Sequence, residues 1–185
     1  MINDSVSVQD SASAGLIARP TAQDRLRLQG RFHIECIGPD GQVKWTEDRD
    51  NTVVTTGKND ALTNWLKGSA YTAANFLGLI DNASFSAIAA GDTMASHSGW
   101  LESTAYSNST RIAPTWGTAS AGSIDNSASP AAFSINATAT INGVFMATNS
   151  TKGGTSGTLL SAVSFGATRS VASGDTLNVT YTMTG

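Results

Sequence analysis

Along most of this chain apolar and polar residues alternate with a period of two, the signature of strands with one buried face. From Arg25, the side chains Leu26, Leu28, Phe32, Ile34 and Cys36 point one way; Arg25, Arg27, Arg31, His33 and Glu35 point the other, with Gly30 read as a bulge. Gly38-Pro39-Asp40-Gly41 predicts a turn, and Gln42 to Trp45 the returning strand of a hairpin. Glu47-Asp48-Arg49-Asp50 reads as a charged connection. The β-branched run Thr52 to Thr55 follows it as another strand.

The period then changes once. Gly57 ends the β-branched run, and Ala61, Leu62, Trp65 and Leu66 fall on one helical stripe. Thr56 is the expected N-cap and Gly68 the expected terminator of a helix over 57–67. A helix this short is marginal alone, so the stripe is expected to pack on, or close one end of, a β structure.

Beyond it the strands resume. Phe76 to Ile80 is a continuous apolar run, the form of a strand buried on both faces. Residues 89–102 form a loop returning to a strand at Trp100-Leu101. Ile112, Pro114 and Trp116 suggest an edge strand, and 119–130 a loop. Phe133, Ile135, Ala137, Ala139 and Ile141 alternate up to Asn142-Gly143, a strong hairpin-turn dipeptide, with Val144 to Met146 returning from it. A Gly-rich loop over 151–157, a strand through Leu159, Leu160, Val163 and Phe165, a Ser173-Gly174-Asp175 turn, and the alternating Leu177, Val179, Tyr181 and Met183 complete the chain. Eight or nine strands at this spacing predict an all-β fold: an antiparallel sandwich or barrel, jelly-roll-like, with one short helix. Residues 25–185 form the single domain. Residues 1–24, polar apart from Gly15-Leu16-Ile17-Ala18, form a flexible N-terminal arm that cannot order itself or that orders against a neighbour.

Charge changes the picture. Only 14% of residues are charged, against roughly 25% in an average domain. Residues 1–60 hold 7 basic and 9 acidic side chains, 16 of the 25 present, so the N-terminal third has a different surface from the rest. A net charge of −3 has the wrong sign for nucleic-acid binding. The N-terminus lacks the pattern of a secretory signal and no apolar run is long enough to span a membrane, so production in a reducing cytoplasm is expected. A single cysteine, Cys36, forms no internal disulfide and reads as a small core residue.

The candidate chemistry is weak. His97 near Asp92, Ser96 and Ser98 has the residue types of a hydrolase, but a triad is defined by geometry, and a loop histidine bonded to its surroundings is the simpler reading. His33, His97 and Cys36 have no zinc-ligand spacing. Asp81, Asp92, Glu102, Asp125 and Asp175 lie in turns, where they are expected to bond their own backbone. Gly153-Gly154 lacks the lysine and helix of a phosphate cradle. Trp45, Trp65, Trp100 and Trp116 are expected core anchors. No catalytic, cofactor-binding or metal-binding residue is nominated.

From Asn51 onward, however, the chain resembles a type of small structural protein of tailed bacteriophages. The resemblance is carried by Asn51-Thr52-Val53-Val54-Thr55-Thr56-Gly57, the helix to Leu66, Phe76-Leu77-Gly78-Leu79-Ile80, and Gly99-Trp100-Leu101-Glu102. It continues through Arg111, the stretch from Asn142 to Phe165, and Gly174-Asp175-Thr176-Leu177, covering about 135 of 185 residues. It implies a non-enzymatic virion protein without cofactor, a capsid decoration or cement protein assembled in the host cytoplasm. Such proteins are often homotrimers bound to the major capsid protein at subunit junctions, with terminal arms reaching neighbours. On that reading the partner-binding residues are Leu16 and Ile17 of the arm and Arg25, Arg27, Arg31 and Glu35 of the first hairpin. The alternatives are a tail, baseplate or fibre-adaptor component, and a carbohydrate-binding surface module.

Overall fold

A computed structural model describes residues 28–67 and 75–185. In chain order the elements are β1 (Gln29–Ile37), β2 (Val43–Asp50), β3 (Thr52–Val53), α1 (Thr55–Lys67), β4 (Phe76–Asp81), β5 (Leu101–Ser103), β6 (Ser123–Asp125), β7 (Ala131–Ser134), β8 (Ala139–Ala147), β9 (Leu159–Val171) and β10 (Thr176–Thr184). They build two antiparallel five-stranded sheets that do not close into a barrel. The first runs β2-β1-β10-β6, with β7 also on β10; the second runs β3-β9-β8-β4-β5.

The two sheets bury their facing sides against each other. Phe32, Ile34 and Cys36 of β1 and Leu177, Val179 and Tyr181 of β10 meet Leu77, Leu79, Val144 and Met146 of the second sheet. The second sheet also buries its outer side. Ile80, Phe145, Leu159 and Ala162 pack there under Met94 and Trp100 of the 82–100 loop and Val54 before the helix. That explains the unbroken apolar runs of β4 and β8: a strand covered on both faces has no side to give to polar residues.

Several expectations are corrected. The sequence 47–50 is not a connection but the second half of β2, paired with β1 from Arg31↔Asp50 to Ile34↔Glu47. Gly30 makes no bulge, since the β1–β10 register is continuous from Gln29↔Thr184 to Ile37↔Thr176. Its lack of a side chain makes room for Tyr181, whose hydroxyl would lie 2.1 Å from a Cβ there. The run 133–141 is two strands, β7 in the first sheet and β8 in the second, and β6 forms inside the expected 119–130 loop. Of the expected Ile112–Trp116 strand only the Leu77↔Ile112 bridge exists.

Asn142-Gly143 is no turn. Both residues lie inside β8 and neither has the positive φ that a tight hairpin turn needs. Asn142 instead faces a bulge in β9: the β8–β9 register steps from Ile141↔Arg169 to Gly143↔Ser164, so residues 165–168 of β9 stand opposite Asn142 alone. Gly143 is needed because a Cβ would lie 2.1 Å from the Val163 carbonyl oxygen. Close sheet packing, not a turn, selects the glycine.

The helix also sits differently. It begins at Thr55, with Lys58 N–H donating to the Val54 carbonyl (3.1 Å), so Thr56 is inside it and is not the cap. The Thr56 hydroxyl donates to the Leu159 carbonyl (2.8 Å), and the free Thr55 N–H donates to Ala90 O (3.0 Å). Gly57 does not break anything; it lets α1 lie directly on β9, where a Cβ would meet Leu160 O at 2.2 Å. The helix therefore docks through its small-residue face, and Leu62, expected in the buried stripe, is 44% exposed. The side chains of Trp65 and Leu66 lie outside the described residues.

Candidate functional site: the charged outer face and its buried clasps

The outer side of the first sheet is uncovered among the described residues. Alternation places Arg31, His33 and Glu35 of β1 there, between Asp50, Asp48 and Thr46 of β2 and Thr182, Thr180 and Asn178 of β10. Arg31 reaches Asp48 at 3.4 Å and Asp50 at 3.2 Å, and His33 Nδ1 lies 3.2 Å from Asp48. All these groups are substantially exposed, so their pairing adds little stability and leaves them free to exchange partners. Glu35, half-buried between Thr46 and Asn178, has no ion pair in this cluster. Of the six expected partner-binding residues, the structure thus places Arg31 and Glu35 on one face. Leu16, Ile17, Arg25 and Arg27 lie outside the described residues, Arg27 immediately before Leu28, where the description begins.

The buried charges do other work. At the seam between the sheets, Glu47 of edge strand β2 turns inward, 5% exposed. It accepts hydrogen bonds from Arg49 (2.6 Å), from Arg169 of β9 and from the Gly166 N–H (3.0 Å). Burial alone would raise its pKa, but these donors outweigh that and hold it below the ordinary carboxylate value. The Trp45 indole N–H adds a bond to Ser170 O (3.2 Å). Side chains, not backbone pairing, therefore lace β2 to β9, and the inward charge protects an edge strand from pairing with other chains.

A second clasp is Arg111, fully buried. It meets Glu102 of β5 through both Nε (3.0 Å) and a terminal nitrogen (2.7 Å), donates to Asn149 O and Gly154 O, and lies 5.0 Å above the Phe145 ring centroid. Glu102 also accepts from Gly153 N–H. The Gly-rich loop is thereby fixed to the sheet, and the expectation that Glu102 serves its own backbone is corrected. In the third clasp Asp175 accepts from Lys44 Nζ (2.7 Å) and Ala172 N–H (2.8 Å). Burial opposes ionisation, but those bonds keep Asp175 below its usual pKa. Cys36 Sγ stands 3.7 Å from Asp175; burial and that carboxylate push its pKa up to about 11, the opposite of a reactive thiol.

His97 is a loop histidine as expected, with Nδ1 2.9 Å from Trp100 O and its ring stacked on Trp100 at 3.9 Å. Asp92 accepts from the Trp100 indole and from Ala89 N–H, both at 3.0 Å, so His97 and Asp92 both secure Trp100. Asp81 and Asp125 bond the N–H two residues ahead, as turn carboxylates do. Trp100 is fully buried, while Trp45 and Trp116 are half-buried edge-on to Phe165 and Tyr181. Among the described residues no cluster of three or more His, Cys, Asp or Glu is arranged to hold a metal. Sequence reasoning missed the Glu47–Arg169 and Glu102–Arg111 pairs. The available signal was scarcity: beyond residue 60 only nine charges occur, and a lone arginine in such a stretch needs a partner.

No protein-family model matches the chain, and comparison with curated proteins finds no significant relative.

Proposed function

We propose that this is a non-enzymatic structural protein of a bacteriophage virion, a capsid decoration protein that binds the major capsid protein and reinforces the junctions of the shell as a homotrimer. The observation that carries the reading is the placement of exposed charge. Arg31, Asp48 and Asp50 stand on one outer face, with Arg31, paired with Asp50, two residues after the start of β1 at Gln29. A charged face beside the strand into which an N-terminal segment leads suits a contact whose register is fixed by charge and whose reach is extended by an arm. The sequence resemblance supplies the shell as the partner. The buried ion pairs support a rigid, loop-tied body, and each has a structural task that leaves no free nucleophile or acid–base pair among them.

The test is co-sedimentation with shells stripped of the protein. Intact protein should bind. Deletion of residues 1–24 should leave a correctly sized oligomer that binds much more weakly, and charge reversal at Arg27 and Arg31 should weaken binding in a salt-sensitive way. Full-strength binding by the deletion would sink the arm's role, and no binding by intact protein would favour a tail or fibre-adaptor component.

A further inference from the structure

Two connected grooves flank α1. One, of about 480 Å³, opens between the ends of the two sheets and is floored by Val53, Trp116, Ile124, Met146, Leu160 and Met183. The other, of about 450 Å³, runs past Lys58 and the exposed Leu62. They share Val53 and Leu28. The lining of the first groove is predominantly apolar, the character of a surface that takes an apolar segment as its cover.

We propose that the cover, in the free protein, is the chain's own N-terminal segment, seated by Leu16 and Ile17. Leu28 lines both grooves, so the segment preceding it joins the fold at the grooves themselves. Leu16-Ile17-Ala18 is the only run of three adjacent apolar residues in 1–24. Ten residues separate Ile17 from Leu28, and they span up to about 33 Å when extended, ample for the patch to turn back. A tether that short gives an effective concentration on the order of millimolar, which favours the chain's own segment over a second copy.

The inference concerns the free protein and stands apart from the shell-binding reading: a shell that uses the same patch must draw it out of the groove. In full-length protein carrying Ile17→Cys and Met183→Cys, mild oxidation at low concentration should give mostly an intrachain disulfide, found by peptide mapping. Cys36 is buried and unreactive, and an Ile17→Cys/Asp48→Cys control should remain reduced. A dominant interchain bond would assign the groove to a second copy and overturn the proposal, as would equal bonding in the control. Should the Met183 variant misfold, Leu16→Asp/Ile17→Asp in the full chain gives an independent reading. It should bind the apolar dye ANS several-fold more than the parent, and unchanged binding would overturn the proposal.

Discussion

The two sheets share one core yet treat their outer faces in opposite ways. The first leaves Arg31, His33, Asp48 and Asp50 in solvent, with pairs that are loose and redundant. The second covers its outer face with Trp100, Met94 and Val54, and where it buries charge, as at Arg111, each guanidinium nitrogen donates to a defined acceptor. The difference separates stability from contact. Substitutions on the covered side should unfold the protein, and those on the open side should alter only what it binds.

The largest effect is expected from Arg111→Ala. It strands Glu102, whose side chain is 6% exposed, and releases the Gly-rich loop, so chemical unfolding should show a loss of about 3–5 kcal/mol. A loss below about 1 kcal/mol would mean that the covered side is no more demanding than the open one. Gly57→Ala comes next, and its sign is the point. Alanine in a free helix gains up to about 1 kcal/mol over glycine. Here its Cβ would meet Leu160 O at 2.2 Å, so α1 must lift from β9 and the net change should be a loss of about 1–3 kcal/mol. A stabilised variant would show that the helix is not held on the sheet.

Acid sharpens the same contrast. Glu47 and Asp175 have folded pKa values below their ordinary 4.5 and 3.8, so the stability they contribute is complete above those values. It is lost as pH falls through the lower folded values. Glu47→Gln should therefore be less stable than the parent at pH 7, with the gap closing as pH falls below the ordinary 4.5 and through the lower folded value, in urea titrations at each pH. A gap independent of pH would remove the clasp from the acid response. Arg31→Ala should be the smallest change, below about 1 kcal/mol in thermal unfolding, because its partners are hydrated without it. A larger loss would break the distinction between the faces.

The periodicity of the chain determined much of this by itself. The alternation from Phe32 to Cys36 and from Leu177 to Met183 specifies one-sided strands. The continuous run at Phe76 to Ile80 specifies a two-sided one, because burial on one face or two is written into which positions must be apolar. Local chemistry also sufficed for the Gly38–Gly41 turn, where Gly41 has a φ of 77°, and for the carboxylates that bond their own turns. What only the tertiary structure decided are the places where a residue answers to a distant one. Gly57 and Gly143 look like a breaker and a turn until Leu160 and Val163 stand against them. Glu47 reads as part of a charged linker until Arg169, 122 positions away, meets it across the seam. A glycine's meaning depends on what occupies the space its side chain would fill, and a charge's on whether a partner reaches it out of water. Neither is a property of the neighbouring sequence.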